Sequence, residues 1–205
     1  MPKKIFAAMS GGVDSSVAAY LLTQAGYEVT GATMTLYRPE GQTGDTQDVT
    51  DARAICEKLG IPHKTYDMGE VFCRCVIEDF IRVYEAGGTP NPCVNCNPIV
   101  KFRLLEEWAD KLGCQKIATG HYVKVHKESN GDNTPKYYIV TGDDDRKDQS
   151  YFLWRLTQQQ LARVIFPLGG WEKPQVLEYL KQHNLQSAAD EGESMEVCFI
   201  PGDYR

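Results

Sequence analysis

Short apolar runs alternate with longer segments of helical periodicity along the first part of the chain. Strand-like runs, of which the first is the most apolar, predict strands at 4–9, 28–36, 63–67 and 115–119. Segments with apolar residues at helical spacing predict helices at 15–25, 49–59, 70–86 and 99–112. Because strands and helices alternate, we expect an α/β fold: an open parallel sheet with helices on both faces.

The pattern changes beyond residue 119. Two strand-like segments at 122–127 and 136–141 flank a polar stretch and predict a hairpin with a solvated tip. Helices are predicted at 151–164 and at 173–183, the second beginning near Pro174. Stretches that are polar or rich in proline predict loops at 39–48 and 87–98, and 184–205 has no clear period.

Composition and charge narrow the class of protein. The 205 residues suit one α/β domain with a full core, with room for a fragment of a second. No apolar run is long enough for a membrane span or a signal peptide, so we expect a cytoplasmic protein without a membrane partner. The net charge of −6 does not favour nucleic-acid binding by the whole surface, but it leaves room for a local basic face. The candidates for that face are Lys101, Arg103, Lys124, Lys127, Lys136, Arg146 and Lys147.

Residues 8–16, AMSGGVDSS, have the composition of a phosphate-binding loop. They connect a predicted strand to a predicted helix, and Gly11 and Gly12 allow the backbone to turn tightly and approach an anion. The N–H groups of the first helical turn would point at that anion. Asp14 would repel phosphate by itself, so we expect it to hold Mg²⁺. No lysine follows the glycines, which distinguishes this loop from the Walker loop.

The ends of the predicted strands indicate where a ligand binds. In an open parallel sheet, ligands bind at the carboxyl ends of the strands. The glycine loop follows the first strand, Met34 lies near the end of the second, and Gly120 follows the fourth. We therefore expect all three to face one pocket, although Met34 equally suits the core and Gly120 a plain turn.

Seven cysteines, in a chain for which we expect no secretory leader, favour reduced thiols over a disulfide scaffold. Cys56 and Cys114 have apolar helical neighbours and are predicted to lie in the core. Cys93 and Cys96 fall in the loop before a predicted helix, whose N-terminus lowers a thiol pKa. Their spacing fits a redox pair, two metal ligands, or a nucleophile with a structural neighbour. Cys198 lies in a short apolar segment that predicts a strand.

The order of motifs along the chain resembles one family closely. The first motif, SGGVDSS at 10–16, is similar to the pyrophosphate-binding loop of the ATP pyrophosphatases, which split ATP between its α- and β-phosphates. With the later motifs, the chain resembles the tRNA-specific 2-thiouridylases, which thiolate the wobble uridine of certain tRNAs. Those motifs are Met34, TPNPxxxCN at 89–97, ATGHY at 118–122, KDQSYFL at 147–153, FPLG at 166–169, KPQV at 173–176 and CFI at 198–200.

This resemblance implies an adenine nucleotide alpha-hydrolase-like fold and roles for named residues. Cys96 would be the catalytic nucleophile, and Cys198 would receive persulfide sulfur from a donor protein or a cysteine desulfurase. The ATP site would contain Ala8, Met9, Ser10, Gly11, Gly12, Val13, Asp14, Ser15, Met34 and Gly120. The contacts with tRNA would come from Asn91, Pro92, Cys93, Lys147, Asp148 and Gln149. An ATP pyrophosphatase domain over 1–145 would precede a helical extension, the start of a tRNA-binding region, over 146–205.

The implied chemistry converts a poor leaving group into a good one. The uridine C2 oxygen would attack the α-phosphate of ATP, with Mg²⁺ bound, expel pyrophosphate and become adenylated. Sulfur from a Cys198 persulfide would add at C2, and AMP would depart. Cys96 would resolve the persulfide and leave a Cys96–Cys198 disulfide for a reductant to reopen.

The chain departs from the family pattern in two places. Many members carry aspartate where this chain has Cys93, which puts the role of that aspartate in doubt here. The extra cysteine favours an alternative in which Cys93, Cys96 and Cys198 bind a [4Fe–4S] cluster whose fourth iron takes sulfide; zinc is a third alternative. The family also continues into two further β-rich domains, so we expect either an excised catalytic domain or a short homologue that relies on a partner.

Two other functions fit parts of this pattern. A different adenylating synthetase of the same superfamily would need neither Cys96 nor Cys198. A nucleotide-binding or sulfur-carrying module without catalysis would bind ATP but release no pyrophosphate when tRNA is added.

Overall fold

A five-stranded parallel sheet forms the centre of the protein. The computed structural model describes residues 2–37, 44–129, 134–185 and 197–200. The sheet order is β3-β2-β1-β4-β7, and every neighbouring pair is parallel. Its strands are β1 (Lys4–Ala8), β2 (Glu28–Thr35), β3 (His63–Asp67), β4 (Lys116–Ala118) and β7 (Val164–Ile165). Strands β5 (Val123–Glu128) and β6 (Lys136–Thr141) pair antiparallel and confirm the predicted hairpin.

Helices connect the strands, and two of the connections contain π-helical turns. The first such turn, Cys73–Ile77, joins α3 to α4, and the second, Asn97–Phe102, joins α5 to α6. A short 3-10 turn spans Ser150–Phe152. The α-helices are α1 (Val13–Gln24), α2 (Gln47–Leu59), α3 (Gly69–Phe72), α4 (Glu78–Glu85), α5 (Pro92–Cys96), α6 (Arg103–Lys111), α7 (Gln158–Arg163) and α8 (Lys173–Gln182).

The pleat of β1 determines which helix covers which face of the sheet, because successive side chains of a strand point to opposite faces. Phe6 packs with Leu105 of α6 in one buried cluster. Its neighbours Ile5 and Ala7 pack with Leu22 of α1 in another. The two clusters confirm the predicted open parallel sheet with helices on both faces.

The strand order reverses at β1. The chain runs from β1 outward to β2 and β3, and then returns to β4 on the other side of β1. In open α/β sheets the crevice for a ligand lies at such a switch point, outside the carboxyl ends of the strands. The glycine loop after β1 and Gly120 after β4 flank this crevice.

The segment that contains Cys93 and Cys96 is helical, so the prediction of a loop over 87–98 is wrong at 92–96. Pro92 occupies the first turn of α5, where its missing N–H has no helical partner to lose. Pro98 removes a further N–H donor, and the helix widens there into the second π-helical turn. Cys93 therefore lies in the first turn of a continuous helical run, and Cys96 lies inside that run.

The prediction of a helix over 151–164 is wrong in part. After the 3-10 turn the chain is irregular until Thr157, which caps α7 and forms a capping box with Gln160. Helix α7 ends at Arg163, and Val164–Ile165 form β7 beside β4. Both β7 residues are β-branched, and their pairing with β4 in the tertiary structure outweighs the helical periodicity of the segment.

Helix α8 confirms the predicted helix at 173–183. Pro174 lies in its first turn. Val176 and Leu180 on its inner face pack in one buried cluster with Val17 and Ala18 of α1. This packing brings the start of α8 to the start of α1.

The strand predicted around Cys198 is wrong for the residues described there. Residues 197–200 form a turn, in which the Ile200 N–H donates to the Val197 carbonyl at 3.0 Å. Residues 39–43 of the predicted loop, and 186–196 and 201–205 of the last part, lie outside the described residues. Within the described part of the chain, no helix has the length and apolar character needed to cross a membrane.

Candidate active site

The glycine loop is held in shape by its own serines. Gly11 has a φ of +78°, a left-handed conformation that glycine adopts at little cost. The Ser10 N–H donates to Ser15 Oγ at 3.1 Å, and Ser15 Oγ donates to the Gly12 carbonyl at 3.0 Å. Among the described residues, no side chain caps the start of α1. The backbone N–H groups of its first turn are therefore the donors available to an anion.

Close packing holds this loop between α2 and the end of β4. A Cβ atom on Gly11 would lie 2.7 Å from the Asp48 carbonyl oxygen, and one on Gly120 would lie 2.9 Å from the carbonyl carbon of Asp14. The structure thus brings Gly120 to the loop. Met34 is half-buried and packs against the cluster that contains Phe6, and its contact with a nucleotide stays a prediction.

Asp14, in the first turn of α1, contacts two residues that are distant along the chain. The Tyr122 hydroxyl donates to Asp14 Oδ1 at 2.7 Å. The Lys173 ammonium, on a side chain only 12% exposed, pairs with the same oxygen at 2.8 Å. A half-buried carboxylate thus positions a cation beside the glycine loop.

This arrangement does not suit a magnesium ion held by Asp14. Oδ1 already accepts two hydrogen bonds, and the Lys173 cation 2.8 Å away would repel a metal ion there. Lys173 itself supplies positive charge where we expected the metal to supply it. The magnesium assignment stays a prediction, and the proposed mechanism does not use it.

Cys96 is a buried thiol. It is 5% exposed and packs with Phe72, Val76 and Val100. Burial raises the pKa of Cys96 to about 11, although the Lys101 charge acts in the opposite direction. The prediction of a lowered pKa is therefore wrong for Cys96, because the residue lies inside a helical run and among apolar side chains that disfavour the thiolate. Cys93, one turn earlier, is exposed.

Cys198 reaches the same place from the far end of the described chain. Its neighbour Phe199 packs against the cluster around Cys96, with its ring centroid 5.6 Å from that of Phe72. After burial, the charges of Cys93 and Cys198 also raise the pKa of Cys96. Desolvation raises the pKa of Cys198 as well, although its side chain reaches solvent. The structure thus brings together the three cysteines that the sequence singled out.

The three thiols do not fit a metal centre in this arrangement. Across the described residues, no three histidine, cysteine or carboxylate side chains converge as ligands. The proposed mechanism therefore has no step through a cluster or zinc.

Asp48 connects the glycine loop with the cysteines. Its carbonyl oxygen lies over Gly11, and its carboxylate acts electrostatically on Cys198. Burial raises the pKa of Asp48, and the Asp51 charge raises it further. Asp48 therefore lies close to both the glycine loop and Cys198.

Cys56 and Cys114 confirm the prediction that they belong to the core. Cys56 is fully buried and Cys114 is 5% exposed. Burial raises the pKa of Cys56 to about 12, which makes it an unreactive thiol.

Lys101 acts electrostatically on the thiols and on His121, which follows β4. Its charge lowers the pKa of both Cys96 and Cys198, against the larger effect of burial. Burial first and the Lys101 charge second lower the pKa of His121 to about 3, so this imidazole is neutral at pH 7. A π-helical turn relates residue i to residue i+5, which is the spacing between Cys96 and Lys101.

Internal hydrogen bonds hold the segment Lys147–Gln149 next to Tyr122. The Tyr122 N–H donates to Gln149 Oε1 at 3.0 Å. Asp148 accepts hydrogen bonds from the N–H and the hydroxyl of Ser150, at 3.2 and 2.6 Å. These two side chains shape the segment beside Tyr122, and the predicted contact of the segment with tRNA remains a prediction.

Sequence reasoning missed Lys173 and Tyr122 as site residues. Both occur inside motifs that carry the family resemblance, KPQV and ATGHY, and their presence in these motifs could have identified them as site residues. Lys173 is 159 residues from Asp14 along the chain, so only the packing of α8 on α1 reveals the contact.

The fold and the position of this site define a class of protein: an α/β domain with an adenine nucleotide alpha-hydrolase-like fold. Residues 3–202 match the family described as the tRNA methyl transferase HUP domain, and the chain belongs to that family.

Relatives of known name are similar over nearly the whole chain. The tRNA-specific 2-thiouridylase MnmA 3 of Bacteroides fragilis is 50% identical over 203 residues, which cover 99% of this chain and 52% of the relative. The tRNA-specific 2-thiouridylase MnmA of Syntrophomonas wolfei is 50% identical over 203 residues, with 98% and 56% covered. That of Geobacter metallireducens is 47% identical over 213 residues, also with 98% and 56% covered. The chain therefore spans about half the length of the curated relatives it matches.

Two solved structures share the fold. A predicted subunit of tRNA methyltransferase from Methanocaldococcus jannaschii has a TM-score of 0.51 and 16% identity, with 87% of this chain and 74% of that chain covered. NMN synthetase from Francisella tularensis has a TM-score of 0.50 and 18% identity, with 90% and 63% covered. At this level of identity the likeness concerns the fold alone.

Proposed function

We propose that the chain is the catalytic domain of a tRNA 2-thiouridylase, which uses ATP to replace the C2 oxygen of the wobble uridine with sulfur. The observation that carries the proposal is that Asp48 lies close to both the glycine loop and Cys198, and that Cys198 in turn interacts electrostatically with Cys93 and Cys96. The names of relatives at 47 to 50% identity support tRNA as the substrate. The raised thiol pKa of Cys96 and the cation at Lys173 support the two steps that follow.

The first step is adenylation of the base. The uridine C2 oxygen attacks the α-phosphorus of ATP, the bond from the α-phosphorus to the bridging oxygen breaks, and pyrophosphate leaves. The N–H groups at the start of α1 and the Lys173 ammonium stabilise the charge that grows on the leaving pyrophosphate. Asp14 and Tyr122 hold that ammonium in place, so the stabilising charge is positioned before the reaction begins.

The second step moves sulfur. The terminal sulfur of a Cys198 persulfide adds at C2, and the C2–O bond breaks as AMP leaves with the electron pair. The base is now joined to Cys198 through two sulfur atoms. The Cys96 thiolate attacks the Cys198 Sγ, the bond between Sγ and the outer sulfur breaks, and the outer sulfur stays on C2 as the sulfur of 2-thiouridine. The products are thiolated tRNA and a Cys96–Cys198 disulfide, which an external dithiol reduces by two electrons.

The electrostatics of Cys96 suit a thiol that acts last. A thiol with a pKa of about 11 stays protonated at pH 7 and so does not attack the persulfide early. Lys101 stabilises the thiolate once the proton has gone. Cys198 reaches solvent, as a thiol that receives sulfur from a donor protein or a cysteine desulfurase must. Such chemistry belongs in a reducing compartment, the cytoplasm.

The test measures both steps with one set of reagents. The chain is mixed with ATP, a tRNA transcript and a sulfur source, and tRNA-dependent pyrophosphate release and 2-thiouridine in the digested tRNA are measured together. The Cys198→Ser variant should still release pyrophosphate but form no 2-thiouridine. Thiolation that survives this substitution would favour another adenylating synthetase, and ATP binding without pyrophosphate release would favour a non-catalytic module.

A further inference from the structure

Two aromatic side chains beside the cysteine helix are largely in solvent. Tyr151 is 63% exposed and Trp154 is 65% exposed. Tyr151 lies in the 3-10 turn, and Trp154 lies on the irregular segment that follows this turn and leads to α7. The Arg155 guanidinium lies 5.9 Å from the centroid of the Trp154 ring. Large apolar side chains that remain exposed next to a reactive centre suggest a contact surface.

A cavity of about 520 Å³ adjoins these aromatic residues. Three of its lining residues are arginines: Arg74 in the first π-helical turn, Arg82 in α4 and Arg155 beside Trp154. Glu78 and Asp79 also line it. The three guanidinium groups outnumber the two carboxylates of the lining, which gives the cavity a positive formal charge in a chain whose net charge is −6.

A hydrogen-bond network fixes this cavity to the cysteine helix. Asn95, which lies between Cys93 and Cys96, accepts a hydrogen bond from Arg155. Asn95 also donates to Asp79 Oδ2 at 2.7 Å, and Asp79 Oδ1 pairs with Arg82. Asp79 is therefore occupied in holding Asn95 and Arg82, and it is not a bare negative charge.

A second tether holds the aromatic segment against the same helix. The Asn97 amide, 3% exposed, donates to the carbonyls of Cys93 and Phe152, at 3.1 and 3.3 Å. Phe152 is the direct neighbour of Tyr151. The exposed rings are therefore held at a fixed position beside Cys93.

We propose that Tyr151, Trp154 and Arg155, with Arg74 and Arg82, form a docking surface for unpaired nucleotides of tRNA beside the target uridine. This inference rests on the proposed function and names the surface that holds the flanking bases. Unpaired bases stack on aromatic rings and on arginine planes, whereas the phosphates between them pair with guanidinium groups. A wobble uridine lies in a single-stranded loop, so its neighbours offer both kinds of contact.

The two kinds of contact respond differently to salt, which provides the test. Binding of a labelled anticodon stem-loop to the full chain is measured as a function of salt, for wild type and for single variants. Arg74→Gln and Arg82→Gln should each reduce the slope of log affinity against log salt by about one for each phosphate that the arginine neutralises. Trp154→Ala should weaken binding by about tenfold or more at one salt concentration with the slope unchanged, and Trp154→Phe should bind nearly as wild type.

Two controls separate this surface from general charge. Lys4→Gln removes a cation at the amino ends of the strands, opposite the site, and should leave affinity and slope unchanged. A fully paired RNA duplex of the same length offers phosphates but no unpaired bases, so Trp154→Ala should not alter its binding. All of these side chains are exposed or line an open cavity, and matching thermal unfolding of the variants verifies their folding.

The possible results are distinct. If the Trp154 and arginine variants bind the stem-loop as wild type does, the surface is not a tRNA contact and a protein partner takes its place. If wild type does not bind the stem-loop even at low salt, the inference is equally overturned. Failure of the proposed function has another outcome, namely stem-loop binding with the variant pattern above but no tRNA-dependent pyrophosphate release.

Discussion

The glycine loop is one continuous segment of the sequence, whereas the cysteine cluster is assembled from segments that are distant along the chain. The loop, from Ser10 to Ser16, is one continuous stretch whose own serines close its turns. The cluster joins Cys93 and Cys96 to Cys198, about a hundred residues later. It packs residues of both π-helical turns against the turn at 197–200. A phosphate site needs only backbone N–H groups in one local shape, whereas sulfur transfer needs two thiols that can meet.

The two regions also differ in charge. In the nucleotide region a half-buried lysine pairs with a carboxylate and is positioned beside the loop. In the cysteine region burial keeps Cys96 protonated, and the nearby cation Lys101 only moderates that effect. The comparison indicates that the charge beside the glycine loop is already in place, whereas the Cys96 thiol must first lose a proton before it can act as a nucleophile.

The largest expected effect separates the two regions completely. Cys96→Ser should reduce thiolation by on the order of 10³-fold or more, because the persulfide intermediate can no longer be resolved. Pyrophosphate release should remain close to wild type, since Cys96 takes no part in adenylation. Both products are measured in the same reaction, with the exposed Cys73→Ser as the matched control. A parallel loss of pyrophosphate release would show that the regions do not work independently.

The second effect concerns the cation of the nucleotide region. Lys173→Met should lower pyrophosphate release by roughly 10²- to 10³-fold, since it removes a positioned donor from a developing charge. Lys173→Arg should restore part of the rate, because it restores the charge with a different shape. Lys181→Met, an exposed lysine on the same helix, is the matched control. A normal rate in Lys173→Met would remove this residue from the mechanism.

The third effect is the pH dependence of alkylation at Cys96. Because burial raises its pKa to about 11, only about one molecule in 10⁴ carries the thiolate at pH 7. Alkylation of Cys96 should therefore accelerate about tenfold for each pH unit between pH 7 and 10, since the thiolate is the nucleophile. Peptide mass spectrometry after timed alkylation measures it. A rate that levels off near pH 7 would mean that the thiol is activated rather than protonated.

The smallest expected effect tests Cys93. In the persulfide scheme Cys93 is neither acceptor nor resolving thiol, so Cys93→Ser should leave thiolation within about threefold of wild type, the range of an exposed substitution. If Cys93, Cys96 and Cys198 held a cluster, Cys93→Ser would be as damaging as Cys96→Ser and would lose bound iron. Iron and sulfide assays on anaerobically prepared wild type and Cys93→Ser measure this. A brown, iron-containing wild type would reopen the cluster alternative.

Local pattern was sufficient for most of the fold. The four strands predicted first and helix α8 lie where the local pattern placed them. The errors occur at 92–96, within 151–164, where only Gln158–Arg163 is α-helical, and at 197–200. In the first, Pro92 starts a helix; in the second, pairing with β4 creates β7; in the third, Phe199 packs against a helical cluster. Each of these errors arises from a packing partner that is distant along the chain or from a proline, which is equally compatible with a loop and with the first turn of a helix.

The sequence by itself determined the tight turn of the glycine loop, the α/β class and the choice of Cys93, Cys96 and Cys198. These features depend on neighbouring residues or on motif order, which a linear pattern contains. Only the tertiary structure decided that Lys173 reaches Asp14 and that Cys96 is buried and protonated. The physical reason is that both results depend on which distant segments pack together. Packing determines desolvation and the distance between charges, and these determine how each group reacts.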